Sequence, residues 1–307
     1  MGASLGRFVL TRLVSVAAVV VMVTAVTWLC IHLLRPEPFA FDDRSLIVQL
    51  GDYLNRAFLH FDLGHSWETN QPAVADLLRQ GLPADLWLLF GGLAFGILTG
   101  VAAGAFVGSR PRSGPARAIE TTAMFCLCAP VYVVGLSLLL LFGAGIAFTG
   151  IGFMPLKYVP FSEDPLGWLG SMITPWIVLG LPLAAMCERM MNSSMRETLH
   201  EEFVRTALAK GISRRRMLRR HAVPAAVAPV FTLAGVTVPV MVTNMVLVEL
   251  TFSVPGIFLG VRNSMEKADF PVIQGTVVEA AFLVAIASLV VDVALAWLDP
   301  RTRTASF

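Results

Sequence analysis

The chain has 307 residues, of which 56% are hydrophobic and only 14% charged, and its mean hydropathy is +0.73. Soluble domains carry about 25% charged residues, so a soluble fold is excluded for lack of polar surface, and intrinsic disorder is excluded by the high apolar content. The net charge of +2 excludes the basic face of a nucleic-acid-binding protein, and the composition therefore indicates a protein whose surface lies largely in lipid.

Six apolar runs are long enough to cross a bilayer, for which a helix needs about 20 apolar residues. With boundaries accurate to a few residues, they are 13–34, 86–107, 121–147, 169–187, 227–248 and 277–297. We expect an all-α membrane protein with six transmembrane helices. The first run is predicted to be a retained anchor, because it is longer than the apolar core of a signal peptide and no small-residue cleavage site follows it.

The distribution of positive charge predicts the orientation of these spans. Sixteen of the 23 Lys and Arg residues fall on one side of the six spans, which places both termini in the cytoplasm of a multi-pass cell-membrane protein. The predicted organisation is an N-terminal segment and first span (1–34), an extracytoplasmic segment (35–83) and a core with five further spans (84–307). The core includes a long cytoplasmic loop at 192–224.

The extracytoplasmic segment contains one helical pattern. Leu46, Ile47, Leu50, Leu54 and Phe58 recur at helical spacing and predict an amphipathic helix on the outer face. Two interpretations stay open at this point. The helix is either a docking surface for an external partner or an element that packs on the bundle or the lipid headgroups.

The second span carries a stripe of five glycines, each four residues from the next, so that one helix face is bare backbone. They are Gly92, Gly96, Gly100, Gly104 and Gly108. Helices in lipid associate through close van der Waals contact, which small residues allow. We expect this face to pack tightly on another helix, either within the same subunit or near a subunit interface or moving gate.

Few ionisable groups lie within the spans, and such groups are candidates for function. Asp85 and Glu279 lie near the starts of their spans, while Asn244, Glu249 and Asp292 are candidate residues of a transport path. The scarcity of central acidic groups argues against self-contained ion coupling. The four cysteines and five histidines lack metal-ligand spacing, so we expect no metal site, and no catalytic residues are predicted.

The cytoplasmic loop carries the strongest pattern. Ser194-Met195-Arg196-Glu197 predicts a capping box at the start of an amphipathic helix that runs to Lys210. Gly211 then ends the helix, a cluster of arginines follows, and Pro224 opens the fifth span. The pattern alone is compatible with binding to anionic headgroups, with a topology signal, or with a helix that docks into a groove of a soluble partner.

The residues of this loop resemble the signature of ATP-binding-cassette importers, in particular the dipeptide/oligopeptide permease family. The resemblance is most specific in Arg205-Thr206-Ala207-Leu208-Ala209-Lys210-Gly211, with His221, Val223 and Pro224 at the family spacing. Other stretches that resemble the family are Asp62-Leu63-Gly64-His65-Ser66, Leu82-Pro83-Ala84, Val254-Pro255-Gly256, Asp269-Phe270-Pro271-Val272-Ile273-Gln274-Gly275 and Leu298-Asp299-Pro300-Arg301.

The resemblance implies a type I importer permease that forms half of a translocation path for peptides. Its implied partners are a second homologous permease, two cytoplasmic ATP-binding subunits and an extracytoplasmic substrate-binding protein. The residues 205–211 and Pro224 would couple the chain to the ATPases. The chain lacks a phosphate-binding loop of the Gly-x-x-x-x-Gly-Lys-Ser/Thr type, so ATP and Mg²⁺ are expected in the partner subunits, and we expect no cofactor in this chain.

Alternative functions remain at this stage. The same architecture serves non-peptide solutes such as nickel in relatives of this branch. An ion-coupled secondary carrier would show inverted repeats and broken helices at the membrane midplane, which we do not find in the sequence. A membrane enzyme would need a constellation such as His-Glu-x-x-His or Gly-x-Ser-x-Gly, and neither occurs.

Overall fold

A computed structural model of the chain describes residues 2–34, 44–68, 71–144, 148–152, 155 and 157–298. The described residues are almost entirely helical, and five of the helices are long and apolar enough to cross a membrane. These are α1 (Gly2–Leu34), α3 (Val74–Ser109), α6 (Pro165–His200), α10 (Ala228–Phe252) and α12 (Phe270–Leu298).

Shorter helices lie between the long ones. They are α2 (Leu46–Leu59), α4 (Gly114–Cys128), α5 (Val131–Phe142), α7 (Glu202–Ala209), α8 (Arg214–Met217), α9 (Val223–Ala226) and α11 (Ile257–Glu266). A π-helical turn, Leu218–Ala222, joins α8 to α9. The C-terminal motif from Asp299 onward, which resembles the family ending, lies outside the described residues, as does the acidic stretch 35–43.

The predicted third span at 121–147 is interrupted and is not one continuous helix. This region forms two helices, α4 and α5, that meet at an angle of 109°. Pro130 cannot donate a backbone hydrogen bond, and it forces the preceding Ala129 into an extended conformation (φ −77°, ψ 126°). The sixth crossing therefore exists only if this bent pair counts as one span.

Two long helices extend well beyond their predicted apolar runs. α3 begins at Val74 rather than near residue 86, so the predicted boundary at residue 83 lies inside a helix. α6 continues to His200 rather than ending near residue 187. An apolar run measures the part of a helix that lies in lipid, whereas a helix continues wherever its residues find packing partners. Met191 and Met195, beyond the apolar run of α6, are fully buried.

The centre of the fold is the pair α3 and α6, which make the most extensive helix–helix contact in the described part of the chain. They run in the same direction, because Gly92 faces Leu179 while Gly108 faces Met195. Helices α10 and α12 pack on this pair and on each other, and α1 packs on α12. We call the end where α3 and α6 finish the loop end, and the end where they begin the opposite end.

The predicted amphipathic helix at residues 46–58 is confirmed as α2. Its residues Tyr53 and Ala57 are buried against Trp28 of α1, with Leu50 and Leu54 packed around them. Burial raises the pKa of the Tyr53 phenol. The apolar face of α2 is therefore at least partly used for packing on the bundle.

The first and last spans run antiparallel to each other. Trp28 and His32 of α1 line one cavity of about 490 Å³ together with Phe270 and Pro271 at the start of α12. The carboxyl end of α1 and the amino end of α12 thus lie together at the opposite end. Their other ends both point toward the loop end, as an even number of crossings requires. Which end faces the cytoplasm stays a prediction.

Candidate functional site

The loop end carries the segment Glu201–Ala226, which we call the coupling segment. The predicted helix Met195–Lys210 with a capping box at Ser194 was wrong in its start, because α6 runs without interruption to His200. Met195 is 1% exposed and packs on Gly108 of α3. This contact keeps the residues of the predicted capping box helical, so they do not start a new helix. The break falls at Glu201, whose ψ of 149° is extended, and α7 begins after it.

Helix α7 has a buried side and an exposed side. Val204 is 2% exposed and belongs to the main core, and Ala207 is half-buried against the same core. Five of the predicted coupling residues lie on the exposed side, where Phe203 is 43% exposed. These five are Arg205, Thr206, Leu208, Ala209 and Lys210. An eight-residue helix with exposed apolar and cationic side chains has the chemistry of a docking element.

Gly211 ends α7 with a left-handed turn. Its φ is +80°, a conformation that costs glycine little and other residues more. The Gly211 amide donates to the Leu208 carbonyl (3.0 Å), and the Ile212 amide donates to the Ala207 carbonyl (3.2 Å). These two bonds form a Schellman motif, which Ala207 and Ile212 complete by packing on the core. The turn therefore directs the chain from the exposed helix back to the bundle.

The remainder of the coupling segment is attached to the bundle end. Met217 is 1% exposed and lies in the core, and the guanidinium of Arg214 donates to the carbonyl of Ser109 at the end of α3 (3.0 Å). The fifth span begins at Ala228. Pro224 was predicted to open this span, but it lies before it, in the first turn of the short helix α9. Arg215, Arg216, Arg219 and Arg220 are exposed.

The five glycines of α3 all face α6 within this chain. A Cβ at Gly96 would lie 2.7 Å from Leu183 Cδ2, one at Gly104 would lie 2.6 Å from Met191 Cβ, and one at Gly108 would lie 2.7 Å from Met195 Cβ. Gly92 and Gly100 are pressed on α6 in the same way, against Leu179 and Cys187. Of the two interpretations of the stripe, the structure places it in packing inside one subunit.

The candidate path residues do not form one site. Glu249 is fully buried near the end of α10, at the opposite end. Asp292 is half-buried on α12, about 33 Å along that helix from Phe270 at 1.5 Å per residue. Asn244 is half-buried in the middle of α10.

The structure instead joins Glu249 to two acidic side chains that the sequence left unassigned. Asp85 of α3 and Glu279 of α12 are 0% and 4% exposed, and both lie close enough to Glu249 and to each other for their charges to interact. We call these three residues the carboxyl cluster. All three acids lie near the predicted extracytoplasmic ends of their spans. This shared position was the signal in the sequence that could have predicted the cluster.

The carboxyl cluster holds the amino end of α11. Asp85 Oδ2 accepts from the Ile257 amide (3.0 Å), and Glu249 Oε2 accepts from the Leu259 amide (2.9 Å). The first amides of a helix have no helical partner and attract negative charge. A Cβ on Gly256 would lie well inside 3.0 Å of both carboxyls, so this turn needs glycine. No group of His, Cys, Asp and Glu in the described residues has the geometry of a metal site.

Two distant motifs meet at the opposite end. The Ser66 hydroxyl donates to the Asp269 carboxylate, 203 residues away, and Lys267 forms an ion pair with Glu68 (2.7 Å). The ring of Trp67 packs edge-on against Phe270. An adjoining cavity of about 630 Å³ lies between this region, the start of α3 and α11.

The fold and these two ends define a multi-pass helical membrane protein of the transport class. Residues 96–304 match the family described as "Binding-protein-dependent transport system inner membrane component". The chain belongs to this family of inner membrane components.

Curated relatives match most of the chain. A peptide transport system permease protein of Brucella abortus (strain 2308) is 31% identical over 85% of this chain and 81% of the relative. A peptide ABC transporter permease protein of Sinorhizobium fredii is 30% identical over 97% and 100%, respectively. A dipeptide transport system permease protein of Haemophilus influenzae is 27% identical over 97% and 99%.

Proposed function

We propose that the chain is a permease subunit of an ATP-driven importer of dipeptides or short peptides, and that it forms half of the translocation path. The observation that carries this proposal is the coupling segment at the end of the bundle. Its helix α7 has one exposed side, while Val204 and Met217 of the same segment are buried in the core. Family membership and the peptide-transport names of the relatives support the class of substrate.

The proposed partners follow from the division of work in such importers. A second homologous permease supplies the other half of the path, and two cytoplasmic ATP-binding subunits hold ATP and Mg²⁺. An extracytoplasmic substrate-binding protein delivers the peptide. In this arrangement the chain itself carries out no hydrolysis, and its own work is to bind the partners and to change conformation.

The exposed side of α7 is proposed to seat in a cleft of one ATPase subunit. Phe203 and Leu208 supply apolar contact, while Arg205 and Lys210 supply positive charge. Val204 and Met217 are buried in the core, so a displacement of α7 moves the bundle end with it rather than bending a free loop. ATP-driven closure of the ATPase pair then shifts the spans between inward-open and outward-open arrangements as rigid bodies.

The opposite end is proposed to receive the substrate-binding protein. The Ser66–Asp269 and Glu68–Lys267 contacts join the segment after α2 to the segment before α12 into one surface, and the 630 Å³ cavity opens beside it. Helix α2 lies beside this surface, since Tyr53 and Arg56 line a cavity together with Phe270, and Ile47 of α2 is 83% exposed.

The proposal is tested by reconstituting this chain in lipid vesicles with its partner permease, its ATPases and its binding protein. We expect ATP hydrolysis to rise when the binding protein is added with a peptide from a panel of two to five residues, and labelled peptide to accumulate. An assembled complex that responds to no peptide would contradict the substrate class. Failure to assemble with any ATPase would contradict the importer itself.

A further inference from the structure

Helix α3 receives a hydrogen bond from the coupling segment at its loop end. Ser109 is the last residue of α3, where backbone carbonyls lack helical partners and the helix dipole favours a cation. Arg214 supplies that cation through its Nη2 atom, 3.0 Å from the Ser109 oxygen. The bond joins residues 105 positions apart and ties the coupling segment to the second long helix.

Arg214 differs in this respect from the other basic residues around it. In the part of the chain that the structure describes, the side chains of the remaining exposed cations of the coupling segment make no hydrogen bond and no ion pair. These are Arg205, Lys210, Arg215, Arg216, Arg219 and Arg220. They are available to an external partner, whereas Arg214 is directed at the bundle.

Helix α3 is also joined rigidly to α6 along its length. At Gly100 and Gly104 the backbone of α3 packs on backbone atoms of α6 and on the Cβ atoms of Cys187 and Met191, whose positions do not depend on side-chain rotation. A Cβ at Gly100 would meet the Ala184 carbonyl at 2.6 Å, and one at Gly104 would meet the Asn192 amide at 3.0 Å. Side-chain rotations cannot absorb a displacement at such a contact, because backbone atoms transmit it directly.

At the opposite end, α3 is bound to α11. Asp85 Oδ2 accepts from the Ile257 amide (3.0 Å), and a Cβ at Gly81 would lie 2.7 Å from that same amide nitrogen. The first turn of α11 therefore rests on α3 through a buried carboxylate and a close backbone contact.

We propose that α3 and α6 move as one rigid pair that carries displacement from the coupling segment to α11, with Arg214 and Asp85 as positioning residues at its two ends. Asp85 and Ser109 are separated by about 36 Å of helix at 1.5 Å per residue. This inference rests on the proposed function, and it adds to that function a specific connection between the ATPase side and the binding-protein side.

The test measures peptide taken up per ATP hydrolysed in the reconstituted complex. Arg214→Gln removes the charged hydrogen bond to Ser109, so we expect this ratio to fall about tenfold while complex assembly and ATP hydrolysis persist. Arg214→Lys retains a cation and should restore most of the ratio. Arg214→Glu places a negative charge at the negative end of α3 and should be worse than Arg214→Gln. Arg117→Gln, an exposed cation on α4, is the control and should match the wild type.

The second arm changes the other end of α3. Asp85→Asn retains an oxygen that can accept from the Ile257 amide and should transport nearly as the wild type, whereas Asp85→Ala leaves that amide without a partner and should lower the ratio. Asp76→Asn, an exposed carboxylate on the same helix, is the matched control.

The outcomes separate the two hypotheses. A wild-type complex that takes up peptide, combined with a normal ratio in Arg214→Gln, would overturn the rigid-pair inference and leave the proposed function intact. A proportional fall in both ATP hydrolysis and uptake would assign Arg214 to ATPase docking and would also overturn the inference. A wild-type complex that transports no peptide would overturn both.

Discussion

Gly211 is the residue at which the chain leaves the exposed helix α7 and returns to the bundle. Its φ of +80° lies in the left-handed region, and a Cβ there would meet no atom within 4 Å. Any effect of substitution is therefore conformational rather than steric. The left-handed conformation costs an ordinary residue about 1–2 kcal/mol, and the cost is higher for a β-branched residue.

We expect Gly211→Val to abolish peptide uptake without reducing the amount of protein in the membrane, because the Schellman turn cannot form with a β-branched residue at this φ. Gly211→Asn should retain most uptake, since asparagine tolerates this conformation. Uptake by cells and membrane-fraction immunoblots check both variants. Normal uptake by Gly211→Val would refute the role of the turn in positioning α7.

Gly256 is a second position where the structure requires glycine, for a different reason. Here a Cβ would enter the space occupied by the Asp85 and Glu249 carboxyls. Gly256→Ala should lower the free energy of unfolding by about 1–3 kcal/mol, the usual effect of overpacking. Thermal unfolding in detergent measures this change. The matched control is Gly260→Ala in α11, the helix that Gly256 precedes, where Gly260 has open space around it and the change should be neutral or slightly stabilising.

At the scale of elements, the sequence predicts what depends on spacing within one segment. The period of α2 and the glycine stripe of α3 were both readable from sequence, because each is a repeat along a single helix. The partner of the stripe was also present in the sequence: Leu179, Leu183, Cys187, Met191 and Met195 repeat the same four-residue spacing. This repeat continues past residue 187 and accounts for the extension of α6, which hydropathy alone did not predict.

Other features of the elements depend on contacts between distant segments. The start of α7 was misplaced because Ser194 and Glu197 have the residue types of a capping box but lie in a turn that Met195 fixes against Gly108. The bend at Pro130 was foreseeable as a kink, but not its angle of 109°. The joining of Asp85, Glu249 and Glu279 depends on how three spans are arranged, which no single-segment pattern contains.

The contact between α3 and α6 gives a prediction at this scale. Gly104→Ala should lower the free energy of unfolding by about 1–3 kcal/mol, because the new Cβ would lie 2.6 Å from Met191 Cβ and even closer to the Glu188 carbonyl. Gly235→Ala in α10 is the control, since its Cβ would meet Val291 Cγ1 at an ordinary 3.5 Å. Thermal unfolding of both variants in the same detergent tests the difference. Equal stability would show that α3 and α6 can separate without cost.

At the scale of the whole molecule, the arrangement places the two candidate functional regions at opposite ends of one helix pair. The coupling segment packs on the ends of α3 and α6, and α11 packs on the start of α3. The described sequence motifs that resemble the permease family fall at these two ends rather than in the middle of the bundle. This distribution suits a protein that receives force at one end and a partner at the other.

The orientation of the molecule is the prediction that tests this arrangement as a whole. The excess of Lys and Arg on one side predicts that the loop end faces the cytoplasm. A cysteine at Arg112, in the exposed turn after α3, should react with a membrane-impermeant maleimide only after cells are permeabilised. A cysteine at Asn55, exposed on α2, should react in intact cells.

Both cysteines need a background in which Cys30, Cys126, Cys128 and Cys187 are replaced. Cys187 lies against Gly100 of α3, so alanine is the suitable replacement there, because it keeps the Cβ and adds no volume. The cysteine-free chain should retain peptide uptake. This control establishes that the labelled protein has the functional fold. The reverse pattern, with Arg112→Cys labelled in intact cells and Asn55→Cys protected, would place the coupling segment outside the cell. An ATPase in the cytoplasm could not reach it there, and the importer mechanism would fail together with the predicted orientation.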